Sequence, residues 1–174
     1  GTHGKTTTTS MLSHILLKGE CDPTISVGGI LPAIGGNIRV GQSETFLTEA
    51  CEYTNSFLSF FPTLGIILNM DADHLDFFKD IDDIRHSFRK FAELLPADGA
   101  LIINADTPKY EMVAENLPCK VITYGLEHDA EYSASDITYD EFGHPTFHVL
   151  HNGADIGICS LKVPGIHNVS NALA

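Results

Sequence analysis

The sequence predicts an α/β fold: a mainly parallel sheet flanked by helices, with a small antiparallel β-meander near the C-terminal end. Three observations carry this. Apolar runs of strand length alternate with helical patterns as far as Gly125. Two of those runs, "TLGIILNM" and "GALIIN", are apolar on both faces, as strands covered by helices on either side must be. From about residue 130 the helical pattern stops, and "SDITYDEFGHPTFHVLHNGADIGICSLKV" offers strands in series with a hairpin signal at Asn152-Gly153.

Each element has its own signal. "TTTTSMLSHILLKG" places Met11, Leu12, Ile15 and Leu16 at helical spacing, with Gly19 as the stop after Lys18. "TISVGGI" and "ETFLTEA" read as short strands around the Gly-rich stretch "GGILPAIGGN". "NSFLSFFP" reads as a helical turn ending at Pro62, with Phe57, Phe60 and Phe61 as core. In "DIDDIRHSFRKFAELLP", Ile81, Ile84, Phe88, Phe91 and Leu95 step by 3, 4, 3 and 4 residues. That spacing gives an amphipathic helix, with Asp80 as its N-cap and Pro96 as its end. "TPKYEMVAENL" gives a short helix, "CKVITYG" a strand, and a last helix starts in "GIHNVSNALA".

With 174 residues, 43% apolar and 19% charged, the chain fits one globular domain with a substantial core. A net charge of −13 repels nucleic acid and anionic membranes, so neither is an expected partner. No apolar run is long enough to span a bilayer, and no signal peptide opens the sequence. Cys21, Cys51, Cys119 and Cys159 are scattered singly, which suggests small buried thiols in a reduced, cytoplasmic protein.

"GTHGKT" carries the end of the G-x-x-x-x-G-K-[ST] phosphate-loop pattern, without its first glycine. Gly1 and Gly4 would let backbone N–H groups approach phosphate oxygens, and Thr2, His3 and Thr7 complete the loop. Lys5 can reach the β- and γ-phosphates, and Thr6 can offer its hydroxyl to Mg²⁺. The helix that follows points its positive N-terminus at the anion. Taken alone, the stretch also reads as a Gly/Thr-rich helix entry.

Two predicted strand ends offer metal ligands. "FLTEACEY" provides Glu49 and Glu52, and "LNMDADHLD" provides Asp71, Asp73, His74 and Asp76. Ligands of parallel sheets bind beyond the carboxyl ends of the strands, and Mg²⁺ favours oxygen donors. The competing reading is a pair of solvated loops.

Together, "GTHGKTTT", "TEACEY", "NMDADHLD" and "GIHNVSNALA" resemble the ATP-binding central domain of the Mur ligases, in the family's order and over essentially the whole chain. The resemblance implies ATP and Mg²⁺ as cofactors. It makes Lys5 the phosphate-binding lysine, acting with Glu49 and His74 as the catalytic set. Thr6 and Glu49 would hold Mg²⁺, and His74 a second Mg²⁺. The pattern G-x-H-N-x-x-N-x-x-A is met by Gly165, His167, Asn168, Asn171 and Ala174. It implies His167, Asn168 and Asn171 at the nucleotide, with the asparagines at adenine, where an amide offers both donor and acceptor. Without the resemblance, those asparagines read as helix-capping residues.

"EACEY" favours the alanine-adding branch of the family, which implies UDP-N-acetylmuramate and L-alanine as substrates. Siblings carry a carbamylated lysine in the helix after the D-H motif. Fifteen residues past His74 stands Arg89, which cannot form a carbamate, with Lys90 beside it. A muropeptide-recycling ligase, another sibling, or a free-standing nucleotide-binding or phosphotransferase domain are the alternatives. The implied reaction phosphorylates a carboxylate with ATP and then replaces phosphate by an amine. Family enzymes also carry an N-terminal UDP-binding domain and a C-terminal amino-acid-binding domain. Residues 1–174 are therefore expected to be the central domain alone, cut at both ends and inactive by itself.

Two features are set aside. His144, His148 and His151 surround a predicted hairpin with no cysteine nearby, which is an exposed hairpin rather than a zinc site. Cys51 stands beside acids that should raise its pKa, so it is a poor nucleophile.

Overall fold

The computed structural model describes residues 1–71 and 77–174. They form two compact units: Gly4–Ala50, and Gly1–His3 together with Cys51–Ala174.

The unit Gly4–Ala50 opens with α1 (Lys5–Lys18), followed by β1 (Thr24–Leu31), β2 (Gly36–Arg39) and β3 (Phe46–Thr48). The strands form a sheet of their own in the order β2-β1-β3, with β2 antiparallel and β3 parallel to β1. The Gly-rich stretch thus spans a hairpin: its ends lie in β1 and β2, and the connection is a 3₁₀ turn at Pro32–Ile34. α1 ends at Lys18, as the sequence suggests, but the left-handed position falls one residue beyond Gly19. Gly19 keeps an ordinary φ of −78°, and Glu20 takes the left-handed position at φ 57°. The N–H of Cys21 then reaches back to Leu16 O at 3.0 Å, closing the last turn.

The helix is where expected, but its buried face is not. Thr8, Thr9 and Ser13 are buried, whereas Ile15 is 65% exposed. Small side chains let α1 lie close to β1, and the Cβ that Gly29 lacks would sit 3.3 Å from Thr6 Cγ2. Ser13 satisfies its buried hydroxyl on Thr9 O at 2.7 Å.

The second unit contains β4 (Leu64–Ile67), α2 (Ile81–Ala92), β5 (Ala100–Asn104), α3 (Glu111–Ala114), β6 (Lys120–Tyr124), β7 (Tyr132–Tyr139), β8 (Pro145–His151), β9 (Ala154–Ser160) and α4 (Ile166–Leu173). Its six strands lie in that sequence order. β4, β5 and β6 are parallel, β7 joins β6 through Tyr124↔Tyr132, and β7, β8 and β9 form the antiparallel meander. The core follows the apolar runs: Leu101, Ile103 and Ile67 are at most 1% exposed.

α2 forms for the reasons its sequence gives. Asp80 Oδ1 accepts from Asp83 N–H at 2.9 Å, and Asp83 Oδ2 accepts from Lys79 N–H at 3.2 Å, so the start of the helix is capped reciprocally. Ile84, Phe88, Phe91 and Leu95 are buried. Phe57 stacks on Phe91 at 5.0 Å and meets Phe88 edge-on at 5.4 Å. Burial of one such ring is worth about 1.5–3 kcal/mol. Phe60 and Phe61 do not join this cluster, and Phe61 is 96% exposed. The helical turn ends at Ser59, and Phe60 leaves it in extended conformation, so Phe61 lies beyond the turn that carries Phe57.

The cysteines also depart from expectation: Cys21 and Cys51 are exposed, Cys119 is buried and Cys159 is half-buried, and all four are free thiols. Burial pushes the Cys159 thiol up. Among the described residues, no helix is long and apolar enough to cross a membrane.

Candidate functional site

In the unit Gly4–Ala50, the site grows from the start of α1. Gly4 is the N-cap at φ 85°, a left-handed conformation costly for any residue with a Cβ. This turn delivers Lys5 to the first helical position, where backbone N–H groups have no partner within the helix. Thr8 N–H makes the first helical bond, to Gly4 O at 2.9 Å. Lys5 and Thr7 are half-buried and Thr6 is exposed.

Glu49 follows β3 directly, and its N–H bonds Ser26 O at 3.3 Å, continuing the β1–β3 ladder. Its carboxylate is held at both oxygens. Gly28 N–H donates to Oε1 at 2.6 Å, and the Thr6 hydroxyl donates to Oε2 at 3.1 Å. A Cβ on Gly28 would lie 2.8 Å from Oε2, so the position requires glycine. A hydroxyl and a carboxylate therefore meet at the positive end of a helix. These are hard oxygen donors of the kind Mg²⁺ accepts, and a helix end of the kind that attracts phosphate. Among the described residues, no group of three or more His, Cys, Asp or Glu side chains could hold a metal. A cation here would keep several waters, as Mg²⁺ commonly does.

In the other unit, Gly1–His3 runs beside the residues that follow β4. Thr2 N–H donates to Asn69 O at 3.3 Å, and Asp71 N–H donates to Thr2 Oγ1 at 3.1 Å. His3 is bonded twice by the Asn69 carboxamide, at 2.8 and 3.0 Å. His74 lies outside the described residues, as do Asp73 and Asp76. Glu52 is 2% exposed.

α4 carries the remaining predicted residues. His167 is exposed, while Asn168 and Asn171 are buried. Asn168 Nδ2 donates to Pro164 O at 2.8 Å, and Asn171 Nδ2 donates to Asn168 Oδ1 at 3.1 Å. These bonds fasten the start of the helix. They use only part of each carboxamide's two donors and two lone pairs. Arg89 is committed to structure: its Nε donates to Glu93 at 2.8 Å, and Nη1 to the carbonyls of Val113 and Glu115. Lys90 is exposed. His144, His148 and His151 each face a different carboxylate, Asp140, Asp155 and Glu131 respectively.

The Mur ligase middle domain family matches residues 1–174. The chain belongs to the Mur ligase family. This Mur ligase middle domain is 62% identical over its whole length to a UDP-N-acetylmuramate–L-alanine ligase of Lachnospira eligens, covering 38% of that protein. It is 52% identical, with the same coverage, to the enzyme of that name from Caldanaerobacter subterraneus subsp. tengcongensis. The crystal structure of UDP-N-acetylmuramate-alanine ligase from Thermotoga maritima superposes with a TM-score of 0.84 at 30% identity, over 99% of this chain and 38% of that one. A UDP-N-acetylmuramate:L-alanyl-γ-D-glutamyl-meso-diaminopimelate ligase from Neisseria meningitides gives 0.87 at 28% identity, over 99% and 57%. The Mur ligase domain thus spans well under half the length of the curated relatives it matches.

Sequence reasoning singled out Thr6 and Glu49, which meet in the unit Gly4–Ala50, but missed Gly28 there and Asn69 in the other unit. Signals for both were present. A Gly-Gly pair inside a strand marks close approach by another group. Asn69 is the first polar residue after an apolar strand, at the end where ligands bind.

Proposed function

We propose that this Mur ligase domain binds ATP and Mg²⁺ for a ligase that joins L-alanine to UDP-N-acetylmuramate in the cytoplasm, during peptidoglycan precursor synthesis. The observation that carries the reading is the Glu49 carboxylate seated on the Thr6 hydroxyl at the start of α1. The names of the most similar relatives supply the substrates.

In this reading the carboxylate of UDP-N-acetylmuramate attacks the γ-phosphorus of ATP. The bond to the bridging oxygen breaks, ADP leaves, and an acyl phosphate remains. The amine of L-alanine then attacks the acyl carbon, loses a proton, and expels phosphate as the amide forms. Two anions must meet in the first step. Lys5 holds the β- and γ-phosphates and offsets their charge. Thr6 and Glu49 would hold Mg²⁺, and the family resemblance gives His74 the role of holding a second ion. The metal supplies charge neutralisation at the transferring phosphoryl group. His167, Asn168 and Asn171 bind the nucleotide through donor and acceptor capacity not used within α4.

The test is ADP release by the full-length protein. Release should require both UDP-N-acetylmuramate and L-alanine, and K5A should lower it on the order of a hundredfold or more. ADP formation indifferent to both substrates would overturn the ligase reading in favour of a free-standing nucleotide-binding or phosphotransferase domain. The likeness to the Neisseria enzyme favours one second reading, ligation of a tripeptide. Replacing L-alanine by L-alanyl-γ-D-glutamyl-meso-diaminopimelate decides between them.

A further inference from the structure

Asn69 stands two residues beyond β4 and is half-buried. Its side chain closes a ring with the backbone of His3. His3 N–H donates to Asn69 Oδ1 at 2.8 Å, and Asn69 Nδ2 donates to His3 O at 3.0 Å. Its own carbonyl takes Thr2 N–H at 3.3 Å, and Asp71 N–H reaches the Thr2 hydroxyl at 3.1 Å. The strand end therefore grips residues 2 and 3 as a neighbouring strand would. The His3–Asp71 ion pair adds little, at 3.8 Å with both side chains more than 60% exposed.

The ring has a geometric consequence. His3 spends its own N–H on Asn69, so that group is not offered to a phosphate. The His3–Gly4 peptide is trans, so fixing its carbonyl also fixes its N–H in the opposite direction. A carboxamide is needed for this. Aspartate keeps the acceptor and loses the donor, and leucine loses both.

We propose that Asn69 is a positioning residue of the phosphate loop: by gripping both polar groups of His3, it aims the Gly4 N–H at the nucleotide phosphates. This rests on the ATP reading above. It predicts a defect confined to the phosphate end of the nucleotide.

The experiment is calorimetric titration of the full-length protein with ATP, ADP, adenosine and UDP-N-acetylmuramate, for wild type, N69D, N69L, N69A and K5A. N69D, N69L and N69A should bind ATP and ADP about tenfold more weakly, the loss expected for one or two hydrogen bonds. Adenosine and UDP-N-acetylmuramate should bind as in wild type. Wild-type ATP affinity in any of these Asn69 variants, beside a K5A control that has lost it, overturns the role of Asn69 and leaves the ATP reading standing. Equal losses for ATP and adenosine also overturn it, because they report a general collapse. Failure of the wild type to bind ATP overturns both readings. Should N69L not fold, the neutral N69A carries the decision, because the charge that N69D adds would itself repel phosphate.

Discussion

Glu49 can sit where it does because residue 28 has no side chain. Its two carboxylate oxygens divide between Gly28 N–H and the Thr6 hydroxyl, and a methyl group at Gly28 would enter the space of Oε2. Gly28→Ala should therefore push the carboxylate off Thr6 while leaving the β1–β3 ladder intact. Under the proposed reaction, the Mg²⁺ concentration for half-maximal activity rises several-fold, about 1 kcal/mol of lost coordination, and a Mg²⁺ titration of activity checks it. Asp106 serves stability instead. Burial works to raise its pKa, but the N–H groups of Leu126, Glu127 and His128 and the His128 ring more than offset this, so the carboxyl is held below its ordinary value. A lowered folded-state pKa stabilises above the unfolded value of about 3.9, and the contribution is lost as pH falls through the folded value. Asp106→Asn should destabilise by about 1–3 kcal/mol at pH 7. The difference from wild type should close in acid, which urea denaturation across pH measures. At this scale the sequence disclosed residue types but not pairings. Lys5, Thr6 and Glu49 announce their chemistry by identity, whereas Asn69 and Gly28 matter through backbone contacts that only the register creates.

Among the elements, α2 shows what periodicity can deliver. Its cap and its apolar stripe were legible, because each is a local effect, but the helix ends at Ala92, where tighter turns at Leu94 and Leu95 take over before Pro96 is reached. Asp80→Ala should cost about 1 kcal/mol and Phe57→Ala about 3–5 kcal/mol, both readable as shifts in a urea midpoint. The larger value reflects the ring packed between Phe88 and Phe91. α1 shows the opposite. Its helical character was legible, but its buried face was not, since Thr8, Thr9 and Ser13 are buried in place of the apolar residues. Close packing on a strand selects for small side chains, and hydropathy does not record size. The Phe57–Phe61 stretch fails in the same way. One ring is core, while Phe61 is almost wholly exposed, because the turn ends between them.

For the whole molecule, alternating strands and helices were enough to predict the parallel β4–β5–β6 arrangement and the meander after it. The split of β1, β2 and β3 into a separate sheet was not legible, because strand propensity carries no information about which strands pair. Relatives of the same family are far longer, and this chain covers 38% of them. Under the proposed function, residues 1–174 by themselves should release no ADP that depends on UDP-N-acetylmuramate and L-alanine, whereas a protein of the relatives' length should. A coupled ADP assay on both decides the point. The six-stranded sheet has a further consequence at its far margin. β9 is the last strand of this sheet among the described residues, and its Ile156 and Ile158 are 59% and 66% exposed. Such an edge invites pairing with other chains. The register shift opposite Val149 and Leu150 and the Asp155 carboxylate beside His148 interrupt it. Colloidal behaviour should then depend on Asp155: replacing it with valine would extend a smooth apolar ribbon and lower the concentration at which the protein precipitates.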